Sequence, residues 1–456
     1  MTQDIVILAA GKGSRMKSKL PKVLHSIAGV PMVRRVLTVA SSLPNAVLHL
    51  IVGHQGEDVA VKCQDFSANI VWQNDPQGTG DALKRVAPHL QEEGSTLTLY
   101  GDVPLIQTST LEKMTSLSTP NSLVLLTVTL ENPTGYGRIV RNAGNKVTAI
   151  VEQKDANDEE LKIQEVNTGI LLAPNAHLQT WLAALTNNNA QQEYYLTDII
   201  AMAARDGVDI VTVQPSSETE VSGVNDRVQL AALERVLQRQ QADELMRNGA
   251  TLLDPSRIDV RGELTTGQDV VIDINCIFEG KVVIGDDVEI GQNCHLKDCT
   301  IGKGTIIKSN TLIDDSQVGE NCDIGPFARL RPGTQLANKA KIGNFVETKK
   351  AMIGEGSKVN HLSYIGDTQM GAGVNIGAGT ITCNYDGVNK YLTQVADNVF
   401  IGSNSALVAP VSIAAGATIA AGSTITKNVA SNQLALGRAR QTAKDNWPKP
   451  TKNTSK

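Results

Sequence analysis

Aromatic side chains are scarce: Phe, Tyr and Trp together make up 3% of 456 residues, against 39 glycines. That imbalance points to a repeat with many tight turns. Long apolar runs are missing as well. None approaches the roughly 20 residues that cross a bilayer, and no basic segment leading into an apolar stretch opens the chain. No membrane insertion is expected, and the default setting is the cytoplasm. A large excess of either charge is also absent. The formal net charge of -5 offers no basis for non-specific nucleic-acid or membrane affinity. None of the six cysteines forms a C-x-x-C pair. Small buried thiols in a reducing compartment are expected, rather than zinc sites or disulfides.

What is present divides near residue 250. Hydrophobic content is 41% and charged content 20%, as in a packed chain of two or three domains at roughly 150 residues each. In the first half, apolar runs at Asp4–Ala10, Val47–Gly53, Ser95–Tyr100 and Leu123–Thr129 read as strands, with helices at Met32–Ser42 and Thr108–Leu117. Continuous apolar strands alternating with helices imply a mainly parallel, Rossmann-like α/β sheet covered on both faces. Asn225–Gly249 reads as one long helix, capped by Asn225 or Asp226 and ended by Gly249.

Past residue 250 apolar residues recur every six positions. Val318, Ile324, Leu330, Leu336 and Ile342 form one series, and Ile401, Leu407, Ile413, Ile419 and Ile425 another. Ile284, Ile290 and Leu296 open the array, while Ile353, Val359 and Ile365 continue it. This is the beat of a parallel β-helix of hexapeptide repeats, with the first residue of each unit pointing inward and a small one following at the turn. The register breaks between Ile376 and Val395, where an insertion should form a loop on one face. The basic tail beyond Leu436 should lie against a neighbour or be loose near its end. The expected domains are 1–227, a linker helix at 228–249, the β-helix at 250–437 and a tail at 438–456.

Leu8–Met16 (LAAGKGSRM) follows the first strand. A Gly-rich turn there exposes backbone N–H groups to phosphate. Met16 stands where a dinucleotide fingerprint needs glycine, and the Gly-Lys-Ser/Thr ending of a P-loop is absent. Arg15 and Lys22 add cations just beyond. With Leu20-Pro21-Lys22, the segment resembles the sugar-phosphate nucleotidyltransferase family. That resemblance implies that Leu8, Ala9, Ala10 and Gly11 wrap UTP, with Arg15 and Lys22 catalytic on its phosphates. Asp102, at a strand's carboxyl edge in Tyr100-Gly101-Asp102, would be a Mg²⁺ ligand with Asn225, although Asn225 could equally be a plain helix cap. Gln73, Gly78 and Thr79 would meet the base, and Gly137, Glu152 and Asn167 the sugar. The implied chemistry is in-line displacement at the α-phosphorus, with charge neutralisation and positioning supplying the rate.

Val359–Asp367 puts His361 and Tyr364 on one coil. An isolated solvent-facing His is usually no base. Here, however, Asn344–Ala351, Asn375–Gly387 and Phe400–Val411 accompany it. Together they resemble the family of bacterial two-activity enzymes that acetylate glucosamine 1-phosphate and then uridylylate the product, across essentially the whole chain. The resemblance implies a left-handed coil and a homotrimer. It makes His361 the general base, an imidazole with a pKa near ~6.5 being suited to an amine's proton. Arg331, Lys349, Tyr364 and Asn375 would hold the sugar phosphate. Ala378, Asn384, Tyr385, Ser403, Ala421 and Arg438 would meet acetyl-CoA. The product, UDP-N-acetylglucosamine, would feed peptidoglycan and lipopolysaccharide synthesis. The rival is a single-activity nucleotidyltransferase whose β-helix is only a scaffold.

Overall fold

The computed structural model describes residues 2–452, which fall into two compact units, Met1–Gln240 and Gln241–Lys456. In the first, Gln3–Leu8 is the central strand, paired in parallel with Ala46–Val52 on one side and Ser95–Tyr100 on the other. Asn69–Trp72 extends the sheet in parallel beyond Ala46–Val52. Neighbouring residues on a strand feed opposite cores. Ile5 and Ile7 join Val33, Val36 and Leu37 of the helix Met32–Ser41. Val6 and Ile51 join Ala82 and Leu83 of the helix Thr79–Val86, with Trp181. Both faces are therefore dry, which is why these strands read as unbroken apolar runs. Strand Glu165–Pro174 runs antiparallel between Ser95–Tyr100 and Ser122–Thr129, an element absent from the strands expected above.

The amino edge of this sheet is pinned by buried polar groups. His49 Nε2 lies 3.0 Å from Asp4 Oδ1. Asp4 Oδ2 accepts from the Gln91 N–H at 2.9 Å and from Asn175 Nδ2 at 3.0 Å. Thr96 Oγ1 donates to Asn175 Oδ1 at 2.6 Å. Burial pushes the Asp4 carboxyl up; the hydrogen bonds from His49, Gln91 and Asn175 more than reverse this and hold it below the ordinary carboxylate value.

The second unit is the coil that the six-residue beat implies. Ile290, Ile307, Ile324, Ile342, Val359, Ile376, Ile401 and Ile419 stack rung on rung in parallel register. Leu296, Ile313 and Leu330 begin a second column, and Ile301, Val318 and Leu336 belong to a third. All belong to one continuous core, each fully buried aliphatic contributing roughly 1.5–3 kcal/mol. Glycine after the inward residue is obligatory at Gly343, where a Cβ would collide with the Asn360 carbonyl. The beat falters at Thr348 and Thr382, which occupy inward positions of the second column. There Thr348 Oγ1 lies 3.0 Å from Thr334 Oγ1, and Thr382 Oγ1 accepts from the Gly366 N–H at 2.8 Å. The insertion is also localised: Tyr364 pairs with Ile381, 17 residues on, but Thr368 pairs with Thr393, 25 on. The eight extra residues (25 − 17) form an outward turn closed by a Tyr385–Lys390 bridge. The last residues of the tail, 453–456, where a loose end is expected, lie outside the described residues.

Candidate active sites

In the first unit the carboxyl ends of three parallel strands meet. Leu8 O accepts the Gly101 N–H and Ile51 O the Ala9 N–H, both at 2.9 Å. The turn that follows stays open, with Gly11 exposed and nothing near it. Gly13 takes a left-handed backbone (φ +58°) and lies against Lys22, where a Cβ would overlap the Lys22 side chain. That contact folds Arg15 and Lys22 toward the same point. Lys22 Nζ donates to Asp102 Oδ2 and lies 3.4 Å from Asn225 Oδ1. Arg15 Nη2 donates to Asn225 Oδ1 at 2.9 Å. The cap role left open for Asn225 falls to its neighbour. The helix starts at Arg227, and Asp226 Oδ1 caps it by accepting the N–H groups of Val228 and Gln229 at 2.9 Å. Asn225 is thereby free to face Asp102, and the Val224 N–H donates to Asp102 O at 2.9 Å.

Two oxygens, one of them a carboxylate, thus converge on one cation. Hard oxygen donors of this kind suit a small divalent ion that keeps most of its shell for water and phosphate. Among the described residues no cluster of three or more His, Cys, Asp or Glu could enclose a metal.

Gln73 is buried, its amide nitrogen donating to Gly78 O at 3.1 Å and to Asp81 Oδ2 at 2.7 Å. Gly78 (φ +105°) packs against Tyr194, whose N–H donates to Gln77 O and whose carbonyl takes the Gly80 N–H, both at 2.8 Å. Thr79 opens the helix that follows. Gly137, Glu152 and Asn167 come together through strand register. Arg138 pairs with Val151 on one side and Val166 on the other. Gly137 therefore has Glu152 and Asn167 as lateral neighbours, and its carbonyl accepts the Asn167 N–H at 2.9 Å. Burial raises the Glu152 carboxyl, and Asp155 and Asp198 add to the rise against the Thr197 hydrogen bond. Tyr100 links the two ends of the site. Its hydroxyl is pushed up by burial and then by the charges of Asp102 and Glu152.

In the second unit His361 Nδ1 lies 2.7 Å from Asn344 Oδ1, on the coil below. An amide oxygen can only accept, so in the neutral ring this contact favours the tautomer with the proton on Nδ1 and the lone pair on Nε2. A ladder climbs from there. Gly379 N–H donates to His361 O at 3.3 Å, Asn404 N–H to Ala378 O at 2.7 Å, and Gly422 N–H to Ser403 O at 2.7 Å. Arg438 Nη1 then donates to Ala421 O at 2.7 Å. Ala378, Ser403, Ala421 and Arg438 therefore share one edge above His361, with small side chains at three of the four positions. Asn375 sits apart from this ladder, paired with Lys358 and Phe400.

A second cluster lies on the next face. Arg331 donates to Thr348 O through its N–H and to Glu347 Oε1 through Nη1, at 2.9 and 2.6 Å. Lys349 pairs with Gly366, and the Tyr364 hydroxyl overhangs Gly366. The Lys349 ammonium is held below its ordinary value, first by contact with Lys390 and then by the charge of Arg331, with Asp367 opposing. Asn384 Nδ2 donates to Asp367 Oδ2, while the Tyr385 hydroxyl turns to Gly387 O within the insertion. Lys390 and Asn344 were not among the candidates. Lys390 lies in the segment where the register breaks, and Asn344 stands 17 residues before His361, one turn of the coil.

An open, mostly parallel sheet with two cations at its carboxyl edge, together with a hexapeptide coil, defines a nucleotidyltransferase joined to a hexapeptide-repeat transferase. Comparison with known proteins agrees. Residues 5–160 match the MobA-like NTP transferase domain, residues 260–344 the GMPPB C-terminal domain and residues 393–427 the bacterial transferase hexapeptide (six repeats). The bifunctional protein GlmU of Marinomonas sp. (strain MWYL1) is 80% identical, covering 99% of this chain and 100% of that one. Those of Marinobacter nauticus and Saccharophagus degradans are 56% and 58% identical, each over 98% of this chain and 99% of theirs. Among solved structures, a nucleotidyl transferase from Methanothermobacter thermautotroptrophicus is 17% identical with a TM-score of 0.38, covering 52% of this chain and 99% of that one. The chain belongs to the bifunctional GlmU family, enzymes of UDP-N-acetylglucosamine biosynthesis that combine a uridylyltransferase with an acetyltransferase. No helix among the described residues is long and apolar enough to cross a membrane.

Proposed function

We propose that the coil unit acetylates glucosamine 1-phosphate with acetyl-CoA, and that the N-terminal unit then joins the product to UMP from UTP, releasing pyrophosphate. The observation that carries this two-activity reading, against a scaffold role for the coil, is the Asn344–His361 contact of 2.7 Å. In the neutral ring that contact supports Nε2 as the base. The amine nitrogen of the sugar attacks the thioester carbonyl, the C–S bond breaks, and the amine's proton passes to His361 and on to the CoA thiolate. Arg331, Lys349 and Lys390 crowd three cations at one place, and the depressed Lys349 ammonium is what a site awaiting a phosphate would show. Tyr364 and Asn375 would orient the sugar. Asn384 and Tyr385 would flank the thioester, with Ala378, Ser403, Ala421 and Arg438 along the CoA.

In the N-terminal unit Arg15 and Lys22 would bind the α-phosphate and the leaving pyrophosphate, and the turn Leu8–Gly11 would wrap the triphosphate. Gln73, Gly78 and Thr79 would hold uracil, and Gly137, Glu152 and Asn167 the sugar. Asp102 and Asn225 would hold Mg²⁺, which supplies charge neutralisation on the phosphates. Their oxygens already face a common cation, Lys22 Nζ.

A homotrimer is supported by one face of the coil. Its outward row of Gln317, Gln335, Met352, Gln369, Gln394 and Ser412 carries no charge over six rungs, although another face presents Asp323, Lys341 and Lys358. An uncharged, extended face suits burial against other copies. A cytoplasmic setting follows from the substrates, UTP and acetyl-CoA. Incubation with glucosamine 1-phosphate, acetyl-CoA, UTP and Mg²⁺ should yield UDP-N-acetylglucosamine, CoA and pyrophosphate by mass. Pyrophosphate formed only when N-acetylglucosamine 1-phosphate is supplied would instead indicate a single activity.

A further inference from the structure

Arg138 is a buried cation with neutral hydrogen-bond partners. It is 2% exposed. Nη1 donates to Tyr136 O, Nη2 donates to Gln153 Oε1 at 2.8 Å, and Nε has no partner among the described residues. A lone buried guanidinium is costly to keep, and an apolar side chain of like volume fills such a space more cheaply. What only this side chain offers is a rigid fork reaching two acceptors on separate segments. One acceptor belongs to the turn Thr134–Gly137, the other to the turn just past strand Val147–Val151. Gln153 Oε1 also accepts the Gly135 N–H at 3.0 Å, so Arg138 and Gln153 together tie the turn to that strand end.

Side chains alternate faces along a strand. Arg138 therefore lies on the face opposite Gly137 and its lateral neighbours Glu152 and Asn167, and Gln153, in the turn beyond the strand, joins it there through their hydrogen bond. The Gly137 position tolerates little movement: a Cβ there would fall 2.8 Å from Ile150 Cγ2 and 3.3 Å from Glu152 Oε1. The backbone of the turn sets how closely a ligand approaches that face.

We propose that Arg138 is a positioning residue for the sugar phosphate in uridylyl transfer, holding the Gly135–Gly137 backbone in register with Glu152 through its fork and Gln153. This rests on assigning Gly137, Glu152 and Asn167 to the sugar side, so both levels are tested together. Arg138→Met, Arg138→Lys, Gln153→Leu and Glu152→Gln are made in the full chain. KM for N-acetylglucosamine 1-phosphate, KM for UTP and kcat are measured beside the melting temperature.

Arg138→Met should raise KM for the sugar phosphate about tenfold or more while KM for UTP stays within about twofold. Its melting temperature should hold or rise, because a lone buried charge is gone. Arg138→Lys should not rescue the sugar KM, since a single ammonium lacks the rigid planar fork that reaches the two acceptors from separate nitrogens. Gln153→Leu should shift the sugar KM in the same direction by about threefold, and it decides the matter if Arg138→Met fails to fold. If Glu152→Gln raises the sugar KM but neither Arg138→Met nor Gln153→Leu does, or if both substrates' KM values rise together, Arg138 has no such role. If Glu152→Gln leaves the sugar KM unmoved, the assignment of this face to the sugar fails, and the role of Arg138 with it.

Discussion

Asn344 Oδ1 and His361 Nδ1, 17 residues apart in the chain, face each other at 2.7 Å across adjacent coils. In the neutral ring the asparagine favours the tautomer with Nε2 bare. Asn344→Leu should lower kcat for acetyl transfer by roughly tenfold and leave uridylyl transfer unchanged. Asn344→Asp should act differently. A carboxylate beside the ring stabilises the imidazolium, so the acid limb of the pH–rate profile should move to higher pH. An unmoved limb would mean that the two side chains are not coupled.

The three cations on the neighbouring face set a second expectation. Lys390→Ala removes the largest cause of the Lys349 depression. The Lys349 ammonium should then return toward its ordinary value. KM for glucosamine 1-phosphate should rise about tenfold. Titration of Lys349 by NMR, run beside steady-state kinetics, checks both parts. A rise in KM for acetyl-CoA alone would contradict the assignment.

The buried clamp at the amino edge predicts acid sensitivity. The folded Asp4 carboxyl lies below its ordinary value, so the native state binds its proton less readily than the unfolded chain does. Its contribution is present above the unfolded value, about 3.9, and is lost as pH falls through the lower folded one. Asp4→Ala leaves His49 Nε2 and the Gln91 N–H without their partner, while Asn175 keeps Gln91 O, and should destabilise the N-terminal unit by roughly 1–3 kcal/mol for each buried group left unpaired. The variant should also lose part of the wild-type dependence of stability on pH below about 4. Urea unfolding across that range tests the sign.

The six-residue beat located the coil residue by residue because each inward side chain is apolar and each coil repeats it. Ile324, Ile342, Val359 and Ile401 lie where the spacing puts them, fully buried. The beat is silent at Thr348 and Thr382, which are equally buried but satisfied by hydrogen bonds. Hydrophobicity carries no strand direction, so the antiparallel course of Glu165–Pro174 was not legible, although Asn167 within it was a candidate. Asn225 could not be separated from Asp226 by type, since both residues cap helices. Only the helix start at Arg227 distinguishes them. The approach of Lys390 to Lys349 depends on how an eight-residue insertion folds back, which no periodicity encodes.

The central claim is that two separate chemistries reside in two units of one chain. It is tested most directly by assaying both half-reactions on full-length Asp102→Asn and His361→Asn. Asp102→Asn should cut uridylyl transfer by about a hundredfold or more and leave acetyl transfer within about twofold. His361→Asn should reverse that pattern, with a loss of about 10²–10⁴ in acetyl transfer alone. Both activities falling together in either variant, or acetyl transfer surviving without His361, would contradict the account.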